Sequence, residues 1–207
     1  MNAVAAHSTR TRNPEATREA ILEAAFSEIH QNGFRSASLE SILAEAGVTK
    51  GALYHHFGSK HDLGMAVLRE AVSRSVLKQF LEPLAATDQP IDTLISILNH
   101  LKDEVTPEML ACGCPLNNLA QEMSSVDEDF RTCLASMFEA WHTGIADSLR
   151  RGQESGNVRA DVDPEGAAIY IVATFEGTIG LAKTTRDMSL LAHCRHGMVA
   201  YLETLRP

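Results

Sequence analysis

Apolar residues along this chain recur at intervals of three and four almost from end to end, and the two-residue alternation of a half-buried strand is scarce. The pattern predicts an all-α protein of about nine helices. The first follows Asn13-Pro14, a capping residue with proline in the first turn, carries Ile21, Leu22, Ala25, Phe26 and Ile29 on its apolar face, and ends at Asn32-Gly33. A short helix opening near Ser38 turns Leu39, Ile42 and Leu43 inward and stops at Ala46-Gly47. Thr49 caps a third. Two short helices on a tight glycine-containing turn have the pattern of a helix-turn-helix.

A fourth helix opens at Ser59, with Asp62 three residues on as a variant of the capping box, and runs to about Phe80 or Leu81, ending near Pro83. The stretch "LEPLAATDQP" breaks the composition. Beyond it the periodicity predicts helices over roughly 91–104, after Pro115, from a Ser125/Glu128 capping box to Gln153, from Pro164 to Lys183, and from about Ser189 to Leu205. The implied organisation is an N-terminal arm (1–13), a helix-turn-helix unit (14–58), a linking helix (59–82) and a larger helical domain (83–207).

Charge sharpens this division. The net charge is -9, which taken alone argues against a polyanionic partner. Its distribution reverses the inference: nine Lys/Arg stand against eight Asp/Glu through Lys78, and nine against nineteen in the remainder. Basic groups cluster at Arg10, Arg12, Arg18, Lys50 and Lys60, and the arm with Arg10 and Arg12 could reach a nucleic-acid backbone or minor groove, or remain a disordered solvated tail. No apolar run approaches the ~20 residues of a membrane helix, and the N-terminus lacks the basic and apolar regions of a signal peptide, so a cytoplasmic location is expected. The four cysteines (Cys112, Cys114, Cys133, Cys194) lack the spacing of a disulfide framework, and Cys112-Gly-Cys114 alone is a weak metal signal. No metal or cofactor is expected.

In "GVTKGALYHHFGSK", residues 47–60, a helix too short to be well anchored carries small and polar groups around a thin apolar stripe. Leu53 and Phe57 can support it from behind, as a helix entering a major groove requires. Lys50 can reach phosphate or a guanine edge, Tyr54 and His55 can donate to phosphate, and Gly51 permits close approach of the backbone. Thr49 and Ser38 stand at helix N-termini, which favour anions, and Lys60 stands at the next. Tyr54 and His55 could instead be ordinary surface residues, and Lys60 a solvated cation.

"SASLESILAEAGVTKGALYHHFGSKHDLGMAVL" resembles the N-terminal signature of the TetR family of transcriptional regulators. The matching pieces are Ile42 with Ala46-Gly47-Val48, the run Lys50 to Phe57, and Ser59-Lys60; Leu43, where the family usually has alanine, departs from it. The resemblance implies a three-helix DNA-binding domain on a helical effector-binding and dimerisation domain. It places Thr49, Lys50, Gly51, Tyr54 and His55 against double-stranded operator DNA, with Ser38 and Lys60 on phosphates. It also implies homodimerisation through the last two helices, about 164–183 and 189–205. Small residues Ala167, Ala168, Ala173, Gly177 and Gly180, with Leu190, Leu191, Cys194, Met198, Val199 and Leu202, would form that face, although an intramolecular core would show the same pattern.

An effector pocket is harder to locate, because aromatic residues and methionines at helical spacing also describe a plain core. The candidate wall and sensing residues are Cys112, Cys114, Asn117, Asn118, Gln121, Phe138, Trp141, His142, Phe175 and Thr178, with Thr174 and Glu176 among the interleaved polar groups. "ACGCPLNNLAQEMS" is similar to the cysteine-containing segment of a subset of TetR-type regulators. Cys114, before Pro115 at a helix N-terminus, would have a lowered thiol pKa and could sense electrophiles or oxidants with Cys112 as resolving thiol, or be an inert buried cysteine. The expected function is a transcriptional repressor released by a small molecule or by cysteine modification. An effector-independent architectural DNA binder is the alternative; a cysteine-dependent enzyme has no local signature to support it.

Overall fold

Each helix of the N-terminal unit opens on a side chain suited to capping it. Asn13 Oδ1 accepts the Glu15 N–H ahead of α1 (Pro14–Asn32), Ser38 Oγ accepts from Ser41 ahead of α2 (Leu39–Ala46), and Thr49 Oγ1 accepts from Ala52 ahead of α3 (Lys50–His56). Ser59 Oγ accepts the Asp62 N–H at 3.0 Å while its hydroxyl donates to Asp62 Oδ2 at 2.8 Å, so this box closes side chain to side chain. The computed structural model describes residues 13–207, apart from the side chains of residues 102 and 103; the basic arm's Arg10 and Arg12 lie outside the described residues. Gly47 takes the left-handed conformation (φ 61°, ψ 40°) that lets α2 end and α3 leave at an angle.

The linking helix α4 spans residues 60–85 and is not a regular α-helix throughout. Val67–Val72 and Leu77–Leu81 are π-helical turns, with Lys60–Ala66, Ser73–Val76 and Glu82–Ala85 between and beyond them. The helix ends at Ala85, near Pro83 as the sequence suggested but two residues beyond it. The Glu82 N–H already reaches back five residues to Leu77 O, so the ladder has slipped by one just where proline lacks a donor.

The larger domain contains α5 (Pro90–Glu104), the one-turn α6 (Pro107–Cys112), α7 (Pro115–Met123), α8 (Glu128–Glu154), α9 (Pro164–Thr185) and α10 (Ser189–Glu203). The all-α architecture is thus as expected, with α6 as a short addition, and no strand occurs among the described residues. The cap of α8 is Asp127, which accepts from Asp129 and Phe130, and not Ser125: a carboxylate two residues nearer the first turn meets both free N–H groups. No helix among the described residues is long and apolar enough to cross a membrane.

One core runs through both domains. Ile21, Leu22, Ala25 and Ile29 of α1 meet Ile42, Leu53 and Phe57; Leu63, Val67, Leu68 and Val72 of α4 carry the core across to Phe130, Leu134, Trp141 and Ile145 of α8. In α9 and α10, Ala168, Ile171, Val172, Met198 and Leu202 are buried inside the same chain. The last two helices therefore expose only part of the face expected: Ala173 and Gly177 lie outward, while Ala167, Ala168, Met198 and Leu202 are buried. Met198 and Leu202 face the core, while Leu191 and Cys194 line a small, partly open void of about 60 Å³. Outward lie Ile169, Tyr170, Ala173, Gly177 and Leu181 of α9 and His193, His196, Gly197 and Ala200 of α10.

Candidate functional site

Helix α3 is held from behind by two side chains, Leu53 and Phe57, which are 1% and 4% exposed. Phe57 is covered by the Arg18 guanidinium, 5.1 Å above its ring, and the same guanidinium makes paired bonds of 2.8 and 2.5 Å to the Glu70 carboxylate. The C-terminal end of α3 is thereby tied to α1 and to α4. The fork holds the Glu70 carboxyl below its ordinary range.

The opposite face is unoccupied by other parts of the described chain. Thr49, Lys50, Gly51, Tyr54 and His55 are all exposed, and Lys50 Nζ lies 5.9 Å from the Tyr54 ring centre. Gly51 is informative because nothing inside the protein requires it. A Cβ there would meet only Thr49 Oγ1, at 3.9 Å, an ordinary contact. Gly51 is the second residue of α3, and replacing a glycine by alanine where the backbone allows it stabilises by about 0.4–1 kcal/mol. Its presence on this face fits close approach by something outside the chain.

Ser38 and Lys60 stand apart from this group. The Ser38 N–H is taken by the Glu28 carboxylate at 2.9 Å and its Oγ caps α2, which leaves the hydroxyl hydrogen as its free donor. Lys60 Nζ donates to Ala37 O at 2.6 Å and Arg35 O at 3.2 Å and lies 5.3 Å over the Phe34 ring. Two of its three N–H groups fasten the loop between α1 and α2, a role that the sequence did not reveal.

Three polar struts join this unit to the larger domain. The Glu122 carboxylate of α7 accepts the Phe34 and Arg35 N–H groups, each at 2.8 Å. His30 Nε2 contacts Gly113 O at 2.7 Å; burial lowers the His30 pKa, so the ring is neutral at neutral pH and the Nε2–H tautomer is the donor. His61 lies 3.2 Å from Asp127 Oδ2 and 3.7 Å from Asp129 Oδ2. His61, Asp127 and Asp129 form a group with ligand-type atoms within 4.8 Å of one another, but Asp127 already caps α8, and the cluster serves as a strut.

A cavity of about 360 Å³ lies between α1, α4, α8 and α9 under the α6–α7 turn. Cys114, Trp141 and Phe175 line it, together with Phe26 and His30 of α1, Gln79 and Phe80 of α4, and Ile179. Asn117, Asn118 and Gln121 line instead an adjoining cleft of about 590 Å³ between α1 and α7, which shares Phe26, His30, Val72 and Pro115 with the cavity. Thr178 lies on the small void beside Cys194. Phe138 and His142 line neither the cavity nor the cleft: Phe138, a turn before Trp141, packs at the core margin, and His142 is rotated about 100° from Trp141 by one helical step. The Cys112 carbonyl is held by Asn118 Nδ2 at 2.7 Å and Lys183 Nζ at 2.9 Å.

Cys114 departs from expectation in its ionisation. It does precede α7, and the N–H groups of Asn117 and Leu116 favour its thiolate. Burial and the neighbouring Glu176 carboxyl outweigh them and push the thiol well above its ordinary pKa. A protonated buried thiol is a poor nucleophile, so the lowered pKa inferred from the helix terminus is overturned. Glu176 itself is 6% exposed, neither carboxyl oxygen has a hydrogen-bond partner of good geometry, and burial pushes its pKa up to about 7 despite Cys114 and Asn117 nearby. The Trp141 Nε1–H is likewise buried and unpartnered.

Residues 21–67 match the family described as "Bacterial regulatory proteins, tetR family", and residues 90–198 match "Tetracyclin repressor-like, C-terminal domain". An uncharacterised HTH-type transcriptional regulator from the lacX 3' region of Lactococcus lactis subsp. lactis is 31% identical over 86% of this chain and 89% of its own length. The transcriptional regulator AcuR of Cereibacter sphaeroides is 29% identical over 80% of this chain and 75% of its own, and the transcriptional repressor DhaR of a Mycobacterium species is 28% identical over 82% and 84%. Among solved structures, a TetR transcriptional regulator from Chloroflexus aurantiacus superposes with a TM-score of 0.82 at 26% identity, covering 95% of this chain and 98% of that one.

Proposed function

The chain belongs to the TetR family of bacterial transcriptional regulators, and from that premise we propose that it is a dimeric repressor that reads a palindromic operator through Thr49, Lys50, Gly51, Tyr54 and His55 and releases it when a small molecule occupies the central cavity. It carries a helix-turn-helix DNA-binding domain, and its relatives are regulators and not enzymes. Proteins of this family bind DNA, as a rule as dimers and under the control of small-molecule effectors. The relative from Mycobacterium is named as a repressor, which supports that sign of regulation.

The observation that carries the DNA assignment is the bare face around Gly51: five exposed small, polar or basic groups on a helix whose glycine has no internal function. One such face makes few contacts, and salt weakens them. A second copy raises affinity without new chemistry, because the second half-site then binds intramolecularly. The outward stripe Ile169, Tyr170, Ala173, Gly177 and Leu181, with Gly197 and Ala200, supports pairing through α9 and α10. Ile169, Tyr170 and Leu181 are 53%, 49% and 62% exposed, and a Cβ at Gly177 or Gly197 would meet nothing within 4 Å.

Release follows from the position of the cavity. It touches α1 directly at Phe26 and His30 and α4 at Phe80, so an occupant that favours a shifted α4 also shifts the two recognition helices relative to each other. A near-complete switch requires the effector to prefer the DNA-incompetent state by about 5 kcal/mol. Footprinting on the DNA upstream of the protein's own gene tests this reading. Two-fold symmetric protection that fades with salt is expected; asymmetric or salt-independent protection contradicts it.

A further inference from the structure

The central cavity has aromatic walls and a buried acid beside them. Phe80, Trp141 and Phe175 form a ring cluster with centroid separations of 4.7 Å (Phe80–Trp141), 5.3 Å (Phe80–Phe175) and 5.8 Å (Trp141–Phe175). No Lys, Arg, Asp or Glu lines the cavity among the described residues, and His30, its one titratable ring, is neutral at neutral pH. Aromatic ring faces attract cations, most strongly where water is limited.

Glu176 supplies the charge. It stands on α9 between Phe175 and Ile179, both cavity-lining, and its carboxyl is flanked by Cys114, which lines the cavity, and Asn117, which lines the cleft. A buried carboxyl with two unpartnered oxygens is costly, and native proteins keep few of them without a reason. The cation one might expect to answer it, Lys183 two turns along the same helix, is bound to the Cys112 carbonyl and to Asn118 Oδ1. The Trp141 Nε1–H, also unpartnered, would accept the company of a hydrogen-bond acceptor on the same molecule.

We propose, resting on the cavity as the effector site, that its ligand class is a small lipophilic amine, with the hydrocarbon part against Phe80, Trp141 and Phe175 and the ammonium head reaching past Cys114 to Glu176, which stands behind the cavity wall. A volume of about 360 Å³ suits a molecule of one aromatic ring with a short chain. The buried acid supports an ion pair with the ammonium head, and rejection of carboxylates follows from the same charge.

The chain has one tryptophan, and it lines the cavity, so its fluorescence reports occupancy directly. The probes are 4-phenylbutylamine and its neutral counterpart 4-phenylbutan-1-ol, titrated into the unaltered protein and into Glu176→Gln at about pH 8, where both amine and carboxyl are charged. The expected result is quenching by both, with the amine at least about tenfold tighter, and loss of that preference in Glu176→Gln. Equal or tighter binding of the alcohol overturns the amine class while leaving the cavity as a binding site. An amine preference that survives Glu176→Gln also overturns it, because the carboxyl is then not the anchor. No quenching by either probe at millimolar concentration removes the effector cavity itself, and the proposal with it. The comparison of the two probes on the unaltered protein stands even if the variant folds poorly.

Discussion

The carboxylate of Glu122 accepts the backbone N–H groups of Phe34 and Arg35, 2.8 Å from each, so a side chain of the regulatory domain closes the loop between the first two helices of the DNA-reading unit. The loop is thereby fixed from two sides, since Lys60 holds its carbonyls at Arg35 and Ala37. Charge-assisted bonds to a carboxylate contribute about 1.5–3 kcal/mol each where solvent is limited, less here because Arg35 is exposed. In Glu122→Ala, amide hydrogen exchange over residues 33–37 is expected to rise about tenfold or more, with α8 unchanged. Unchanged exchange in the loop would show that the strut carries no load.

Gly51→Ala separates stability from recognition. The added methyl has room inside the protein and the change replaces a glycine in the first turn of α3, so stability should rise by about 0.4–1 kcal/mol, or roughly 1–4 °C. Operator affinity should fall on the order of tenfold, as one close backbone approach is lost. A variant that is more stable and binds equally well would remove Gly51 from the interface.

The buried Glu176 makes stability depend on pH with a definite sign. Its folded pKa, about 7, lies above the ordinary value of 4.5, so the folded state holds its proton longer. The associated stability is present below about pH 4.5 and is lost as pH rises through about 7. Glu176→Gln lacks this loss, and its unfolding free energy relative to the parent should climb by about 3 kcal/mol between about pH 4 and about pH 8. Denaturant titrations at the two pH values measure it; a flat difference would mean that the carboxyl ionises as freely as in water.

Leu181→Arg tests the paired face. The side chain is 62% exposed in the isolated chain, so the protomer should fold normally. Across a two-fold axis the substitution brings like charges together, and sedimentation should show a monomer with operator affinity reduced about a hundredfold or more. A dimer that persists unchanged would place the interface elsewhere.

Much of this was legible in the sequence, where local chemistry decides the outcome. The caps at Asn13, Ser38, Thr49 and Ser59, the glycine turn at Gly47, and the support from Leu53 and Phe57 all follow from rules that act within a few residues. What escaped was set by distant parts of the chain. Lys60 looked like a surface cation because its carbonyl partners lie more than twenty residues away. Cys114 looked activated because its helix terminus is visible in sequence, while its burial and the proximity of Glu176 come only from the packing of α9. Leu191, Cys194, Met198 and Leu202 had the period of an interface, but period alone does not say which side of an amphipathic helix meets its own core. The slipped hydrogen bonds that carry α4 past Pro83 have no sequence signal of their own.

Selection of duplexes from a random pool, followed by affinity measurements over a range of salt, tests most directly whether the face around Gly51 reads DNA. Enrichment of a two-fold symmetric site is expected, with affinity falling steeply as salt rises and reduced about a hundredfold or more when Lys50→Ala and Tyr54→Ala are combined. Absence of any enriched symmetric site, or full affinity in the double variant, would contradict it.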